Sequence, residues 1–129
     1  MIKLGDFGLA VKLTTTCTRR NTTCGTSWYM APEVYDRKTE WKSDVWSLGI
    51  SLVELADRKN PYAAYNDMQV GVAKENDTQI MKIVCLGEPP SLTTLGWSSE
   101  FVDFVGKCLV KDVNERWDVR VLLRVGDCA

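Results

Sequence analysis

The carboxylate of Asp6 is the first group along the chain with an evident chemical use. It comes after Ile2-Lys3-Leu4-Gly5, a short alternating run that reads as a brief strand entering a turn, and it precedes Phe7-Gly8. A strand-end aspartate close to a glycine presents hard oxygens on backbone that can turn freely. That is the ligand type a magnesium ion takes. An aspartate in an ordinary turn looks the same in isolation, so its meaning depends on the residues downstream of it. Glu33 comes directly after Ala31-Pro32, Asp44 stands at the head of a long apolar run, and Arg116 precedes Trp117. Between Asp6 and Glu33 lies a hydroxyl-rich stretch that includes Thr22, Thr23 and Thr26.

Other chemistries are closed off by composition. There is no histidine, and Cys17, Cys24, Cys85, Cys108 and Cys128 form no Cys-x-x-Cys pair. This argues against a structural zinc site and excludes a Ser-His-Asp or Cys-His nucleophile within the chain. With no apolar run long enough for a membrane span or a signal peptide, the expected location is intracellular, in the cytoplasm, and in that setting the five scattered cysteines read as reduced thiols. With 16 basic and 17 acidic residues the net charge is −1. That balance gives no electrostatic footprint for nucleic acid or an anionic membrane, and neither is expected as a partner. No apolar run approaches the ~20 residues of a membrane span, and the first residues lack the apolar core of a signal peptide. The 129 residues, 45% hydrophobic and 26% charged, suit one compact globular domain.

The positioning elements are mostly helical. Residues 12–29 have neither helical nor strand period and read as a long loop, a length that usually signals function. Ser43 to Asp57 is the strongest helix, with Ser43 as its expected N-cap and Asp44 at the positive end of its dipole. Its apolar residues, Val45, Trp46, Leu48, Ile50, Leu52, Val53, Leu55 and Ala56, cover an arc of roughly 220°, so the helix is expected to be buried and to organise the rest. Asn60-Pro61 is its expected stop. Shorter helices are expected over Thr78–Cys85, Ser98–Val110 and Trp117–Arg124. In the second, Phe101, Phe104, Val105, Cys108 and Leu109 share one face, and Trp97 could staple onto Val102 if Ser98 is the cap. The five tryptophans read as packing residues.

Three motifs then fall in order: Asp6-Phe7-Gly8, Ala31-Pro32-Glu33 within Gly25-Thr26-Ser27-Trp28-Tyr29-Met30-Ala31-Pro32-Glu33-Val34, and Asp44-Val45-Trp46-Ser47-Leu48-Gly49. Each triplet alone is weak, but the ordered set resembles the second half of the protein kinase signature. The run from Arg20 to Thr26 followed by Met30 to Val34 looks most like the sterile-twenty-like and germinal-centre serine/threonine kinases. Those usually read Gly-Thr-Pro-Tyr-Trp-Met-Ala-Pro-Glu-Val. Here Ser27 stands in place of the proline, and Trp28-Tyr29 inverts the aromatic pair.

The resemblance implies a fold and a set of roles. The fold is the mainly α, helical C-terminal lobe of a protein kinase. It would form a partial kinase domain over 1–129, with an activation segment at 6–33 and a helical subdomain at 34–124. Asp6, with Phe7 and Gly8, would hold magnesium and so ATP. Phe7 would pack as a core or switch residue. Thr26 would face the substrate hydroxyl. Thr22, with Thr23 as a competing site, would be phosphorylated by an upstream activating kinase, the added charge ordering the loop. Glu33 and Arg116 would form a buried ion pair, and Asp44 would accept hydrogen bonds from a catalytic-loop backbone. Protein substrates are the implied partners. Trp117 stands where the family usually has proline, so packing there is expected to differ.

The same sequence holds no glycine-rich phosphate loop and no lysine strand ahead of Asp6. It also holds no His-Arg-Asp catalytic loop. Positioning and electrostatics dominate phosphoryl transfer, so the 129 residues alone are expected to be inactive. Two readings therefore stand: a part of a serine/threonine kinase, or a non-catalytic interaction module built from the same lobe.

Overall fold

The computed structural model describes residues 1, 3–10, 27–62 and 77–126. A 3₁₀ turn (Ser27–Tyr29) leads into helices α1 (Pro32–Tyr35), α2 (Trp41–Asp57), α3 (Asp77–Leu86), α4 (Ser99–Cys108) and α5 (Val119–Gly126). Among the described residues there is no β-strand, and no helix is long and apolar enough to cross a membrane. Lys3 and Leu4, expected in a strand, carry no regular structure; Ile2 lies outside the described residues.

The 17-residue α2 runs through the centre, and it begins two residues earlier than its sequence suggests. Glu40 is the N-cap, in extended backbone, and Ser43 sits at the third helical position. The Glu40 N–H donates to Ser43 Oγ at 3.1 Å. The serine and glutamate of a capping box have thus exchanged places, and the glutamate charge still lies at the positive end of the dipole. The helix also stops before Asn60-Pro61. Arg58 takes a left-handed conformation, φ 55°, and ends it there. Asn60 then accepts the Tyr62 N–H at 2.9 Å, an Asx turn that redirects the chain.

One side of α2 carries the core. Val45, Trp46, Gly49, Ile50 and Val53 are buried, and Trp46 and Ile50 are wholly so. The far side of the apolar arc is not covered by the described residues: Leu48 is 44% and Leu55 77% exposed. Gly49 sets the approach of α4. A Cβ at that position would sit 2.7 Å from Leu109 Cδ2 and 2.9 Å from Cys108 Cβ, closer than real Cβ atoms come. Only a glycine lets the end of α4 lie this close to α2.

The other helices each bury one side. In α3, Ile80 and Val84 are buried one turn apart, and the Lys111 ammonium caps its end by donating to the carbonyls of Cys85, at 2.9 Å, and Gly87. In α4, Ser98 Oγ accepts the Phe101 N–H at 3.2 Å, the N-cap expected. Trp97 packs its ring on Phe101, with centroids 5.1 Å apart, one residue short of the expected staple partner. For α5, Asp118 accepts the N–H groups of Arg120, at 2.7 Å, and Val121, at 3.1 Å. This helix starts two residues later than expected because the cap is Asp118. Trp117, just ahead of that cap, lies under the Lys107 ammonium, 4.2 Å from the ring centroid.

Candidate functional site

Two groups of candidate residues occupy different parts of the molecule. The first is Asp6-Phe7-Gly8, all exposed. A turn closes over it through the Ala10 N–H to the Phe7 carbonyl, at 3.0 Å. Asp6 itself adopts φ 58°, the left-handed region that aspartate tolerates better than most residues. Backbone in that region gathers at functional sites. A Cβ on Gly8 would lie 3.4 Å from Asp6 Oδ1, so the missing side chain leaves one flank of the carboxylate open. Phe7 departs from its expected packing. It is 68% exposed and is not among the residues packed in or against the core.

Among the described residues no cluster of three acidic, cysteine or histidine side chains could hold a metal ion. Magnesium in phosphoryl-transfer sites is typically held by one or two carboxylates together with substrate phosphates. The exposed carboxylate of Asp6 is compatible with that ligand type.

The second group is built around α2. Pro32 opens α1 at a position where a missing N–H costs nothing, and it sets Glu33 in the first turn. Glu33 is 8% and Arg116 1% exposed. Arg116 Nη1 donates to Glu33 Oε1 at 2.7 Å and Nη2 to Oε2 at 2.9 Å, a bidentate fork. Its remaining N–H groups go to backbone carbonyls: Nε to Val110 at 2.8 Å, Nη1 to Lys42 at 2.9 Å and Nη2 to Lys111 at 3.3 Å. All five donors of the guanidinium are thus used. Ser43 Oγ donates to Glu33 Oε1 at 2.9 Å. The guanidinium also lies over the Trp46 ring, 5.2 Å from its centroid.

Ahead of Glu33, the 27–30 stretch is tied to α2 by separate contacts. Ser47 Oγ donates to the Tyr29 carbonyl at 2.8 Å, and the Tyr29 hydroxyl donates to Glu54 Oε2 at 2.6 Å. The hydrogen bond to the Glu54 carboxylate, with burial adding to it, pushes the Tyr29 phenol above its usual range. Trp28 stacks on Tyr62, centroids 5.8 Å apart, and the Tyr35 hydroxyl donates to the Ser27 carbonyl at 2.8 Å. The inverted aromatic pair therefore sends one ring to the core and the other to a carboxylate.

Asp44 stands in the first turn of α2, exposed and with no hydrogen-bond partner among the described residues. Surrounding protein atoms nevertheless partly desolvate it and raise its pKa. Thr22, Thr23 and Thr26 lie outside the described residues.

The structure joins Glu33 to Arg116 and Ser43. No hydrogen bond among the described residues links that group to Asp6 or Asp44. Sequence reasoning missed the roles of Ser43, Ser47, Glu54 and Lys42. The Lys42 ammonium donates to the carbonyls of Val113, at 2.9 Å, and Asn114, at 3.0 Å, and so steadies the loop that bears Arg116. A contact across 71 residues leaves no periodic trace in sequence. Serines four apart on α2 did carry a signal, since they fall on one face.

Comparison with known proteins bears on both groups. The family profile of the protein kinase domain matches residues 1–125. The chain is 40% identical over 123 residues to the serine/threonine-protein kinase hippo of Drosophila melanogaster, covering 94% of this chain and 17% of that protein. It is 40% identical over 124 residues to serine/threonine-protein kinase dst1 of Dictyostelium discoideum, covering 95% and 16%. It is likewise 40% identical over 115 residues to serine/threonine-protein kinase cst-1 of Caenorhabditis elegans, covering 88% and 21%. The chain thus spans about a fifth or less of the length of these relatives. With Asp6-Phe7-Gly8, the clamped Ala31-Pro32-Glu33 and the central α2 all inside the matched region, the chain belongs to the protein kinase family.

Proposed function

We propose that this chain is the helical part of a serine/threonine protein kinase that transfers phosphate from Mg-ATP to hydroxyls of protein substrates in the cytoplasm. The observation that carries the reading is the Glu33–Arg116 fork. It fixes the end of the 6–33 segment to the helical subdomain at 34–124, and holding that segment in place is what a substrate-facing loop requires. Asp6 would hold magnesium, which bridges and neutralises the phosphates of bound ATP. Phe7 and Gly8 would shape the turn around it. Thr26 would face the substrate hydroxyl. Thr22 or Thr23 would take a phosphate from an upstream activating kinase and order the loop by pairing with arginines. Asp44, exposed at the positive end of α2, is free to accept backbone N–H groups of a catalytic loop.

By itself the 129-residue chain should be inactive, since it lacks a phosphate loop, an ATP-contacting lysine and a catalytic aspartate. Two measurements test the reading together. The purified chain should transfer no phosphate from Mg-ATP to a generic basic protein. The same chain joined behind the upstream half of the hippo kinase domain should do so, and Asp6→Asn should lower that rate at least ~100-fold, in line with the loss of a group that stabilises transition-state charge. Robust transfer by the chain alone, or full activity of the Asp6→Asn fusion, would sink the proposal. A folded but inert fusion would favour the interaction-module reading.

A further inference from the structure

Asp57 closes α2 at the end where the helix dipole is negative, a place that disfavours an acid. What it gains there is the connector between α3 and α4. Oδ2 accepts both the Thr93 N–H, at 2.9 Å, and the Thr93 hydroxyl, at 2.7 Å. Oδ1 accepts the Thr94 N–H at 3.0 Å. Both carboxylate oxygens are thus used on two consecutive residues of a segment without regular structure. On either side the connector is anchored by apolar contact, Leu92 against the core and Trp97 on Phe101. Between these anchors Leu95 stands 96% exposed and Gly96 takes φ 102°. Burial pushes the Asp57 carboxyl upward. The hydrogen bonds from Thr93 and Thr94 together outweigh it and hold the group well below the usual carboxylate range, so the three bonds form to a full negative charge across ordinary pH.

We propose that Asp57 and Thr93 form a latch between the end of α2 and the connector, and that phosphorylation of the Thr93 hydroxyl opens it. Thr93 is exposed and lies in irregular backbone, the setting in which a protein kinase can reach a hydroxyl. In the modifying step the γ-phosphoryl group of a nucleoside triphosphate moves to Thr93 Oγ1. A new O–P bond forms as the bond to the bridging oxygen breaks. The nucleoside diphosphate leaves with the electron pair, and the hydroxyl proton is released. The product has lost the O–H donor at Thr93. It also carries close to two negative charges beside a carboxylate that is itself ionised. Residues 91–97 contain no titratable side chain that could offset this. Along α2, Glu54 adds to the repulsion, while Arg58 and Lys59 come directly after Asp57 and are the only cations within two residues of it in sequence. The latch does not depend on the proposed phosphoryl transfer, because it lies in another part of the fold and needs no activity of this chain.

The test compares the unmodified chain with a chain carrying phosphothreonine at position 93, made by peptide ligation, and with Asp57→Ala and Thr93→Val. Amide hydrogen exchange at Thr93 and Thr94 is the readout, with Val53 in the buried part of α2 as the internal control. The phosphorylated chain and Asp57→Ala should exchange roughly tenfold faster or more at both amides, while Thr93→Val, which keeps two of the three bonds, should be faster by roughly threefold. Phosphate added to the Asp57→Ala chain should give no further increase. Equal exchange in phosphorylated and unmodified chains overturns the proposal. So does slower exchange on phosphorylation, which would mean that Arg58 or Lys59 captures the phosphate and tightens the connector. If Asp57→Ala fails to fold, the other comparison decides alone.

Discussion

Replacing Arg116 by methionine removes a guanidinium and keeps much of its apolar stem. In the folded chain it would leave the Glu33 carboxylate 8% exposed, with the Ser43 hydroxyl as its side-chain donor, at 2.9 Å. It would also take one donor each from the carbonyls of Val110, Lys42 and Lys111. Breaking a buried pair by removing one partner typically costs about 3–5 kcal/mol, mostly because the surviving charge stays out of water. A single domain has only about 5–15 kcal/mol in total, so this one change would consume a large share of it. At roughly 3–5 °C per kcal/mol for a domain of this size, the melting temperature should fall by about 10–20 °C. Urea unfolding followed by tryptophan fluorescence reads the free energy directly. Arg116→Lys should recover only part of the loss, since an ammonium cannot fork onto both carboxylate oxygens and reach three carbonyls as well. Glu33→Gln in the Arg116→Met background should cost less than either change predicts alone, because the orphaned charge is gone. A loss below about 1 kcal/mol for Arg116→Met, the range of exposed pairs, would refute the claim that this fork holds the segment in place.

Gly49→Ala should destabilise the chain by about 1–3 kcal/mol in the same urea assay, since the new methyl meets Leu109 and Cys108 at under 3 Å. Leu109→Ala added to it should give less than the sum of the two losses; full additivity would show that the clash is relieved elsewhere. Burial pushes the Cys108 thiol up to about 11, with the Arg116 charge pulling weakly the other way, so at pH 8 the buried Cys108 should react with thiol reagents more slowly than the half-buried Cys85. The unfolded chain loses the Cys108 proton near 9.0 and the folded chain keeps it to about 11, so stability should fall as pH rises through that window and be untouched by this group below it. Cys108→Ala should flatten that fall, as read by urea midpoints at pH 8, 9 and 10; an unchanged slope would show that the thiol is not the titrating group.

What the sequence made legible was whatever is periodic or local. The apolar face of α4 and its Ser98 cap are local, and both appear in the structure. So is the existence of α2, although its ends are not. Ser43 resembles a cap because serine before an acid and an apolar run usually is one. A glutamate three residues earlier can fill that place as well, and this leaves Ser43 free to turn inward to Glu33. Pro61 resembles the stop, but Arg58 enters left-handed backbone first, a conformation that no arginine advertises. The apolar arc on α2 is as wide as its sequence says, yet it is not buried all round. Periodicity reports which side chains are apolar, and coverage depends on what else packs there, as the exposed Leu48 and Leu55 show. The candidate site divides the same way. The resemblance carried by the motifs pointed to the Glu33–Arg116 pair, and the structure shows that pair. Nothing local marked Lys42, Glu54 or Asp57, whose partners lie 25 to 72 residues away.

The polar side chains of α2 form a series, and that series explains why one helix can organise so much irregular chain. From its N-terminus onward, Lys42 holds the loop at 113–114, Ser43 holds Glu33, Ser47 holds the Tyr29 carbonyl, Glu54 holds the Tyr29 hydroxyl and Asp57 holds Thr93 and Thr94. Seventeen residues of helix extend about 25 Å, so these contacts are spread along most of α2 at spacings fixed by one rigid element. The apolar stripe beside them supplies the bulk of the burial and is tolerant of exchange among similar residues. The polar series is less tolerant, because each member makes directional hydrogen bonds to particular partners that an apolar replacement cannot make. A rotation of α2 by one residue, about 100°, would break every one of these contacts at once while leaving the wide apolar arc partly able to pack. The apolar arc therefore makes α2 central, and the polar series sets the one rotation at which it can serve both the segment that ends at Glu33 and the loop that carries Arg116.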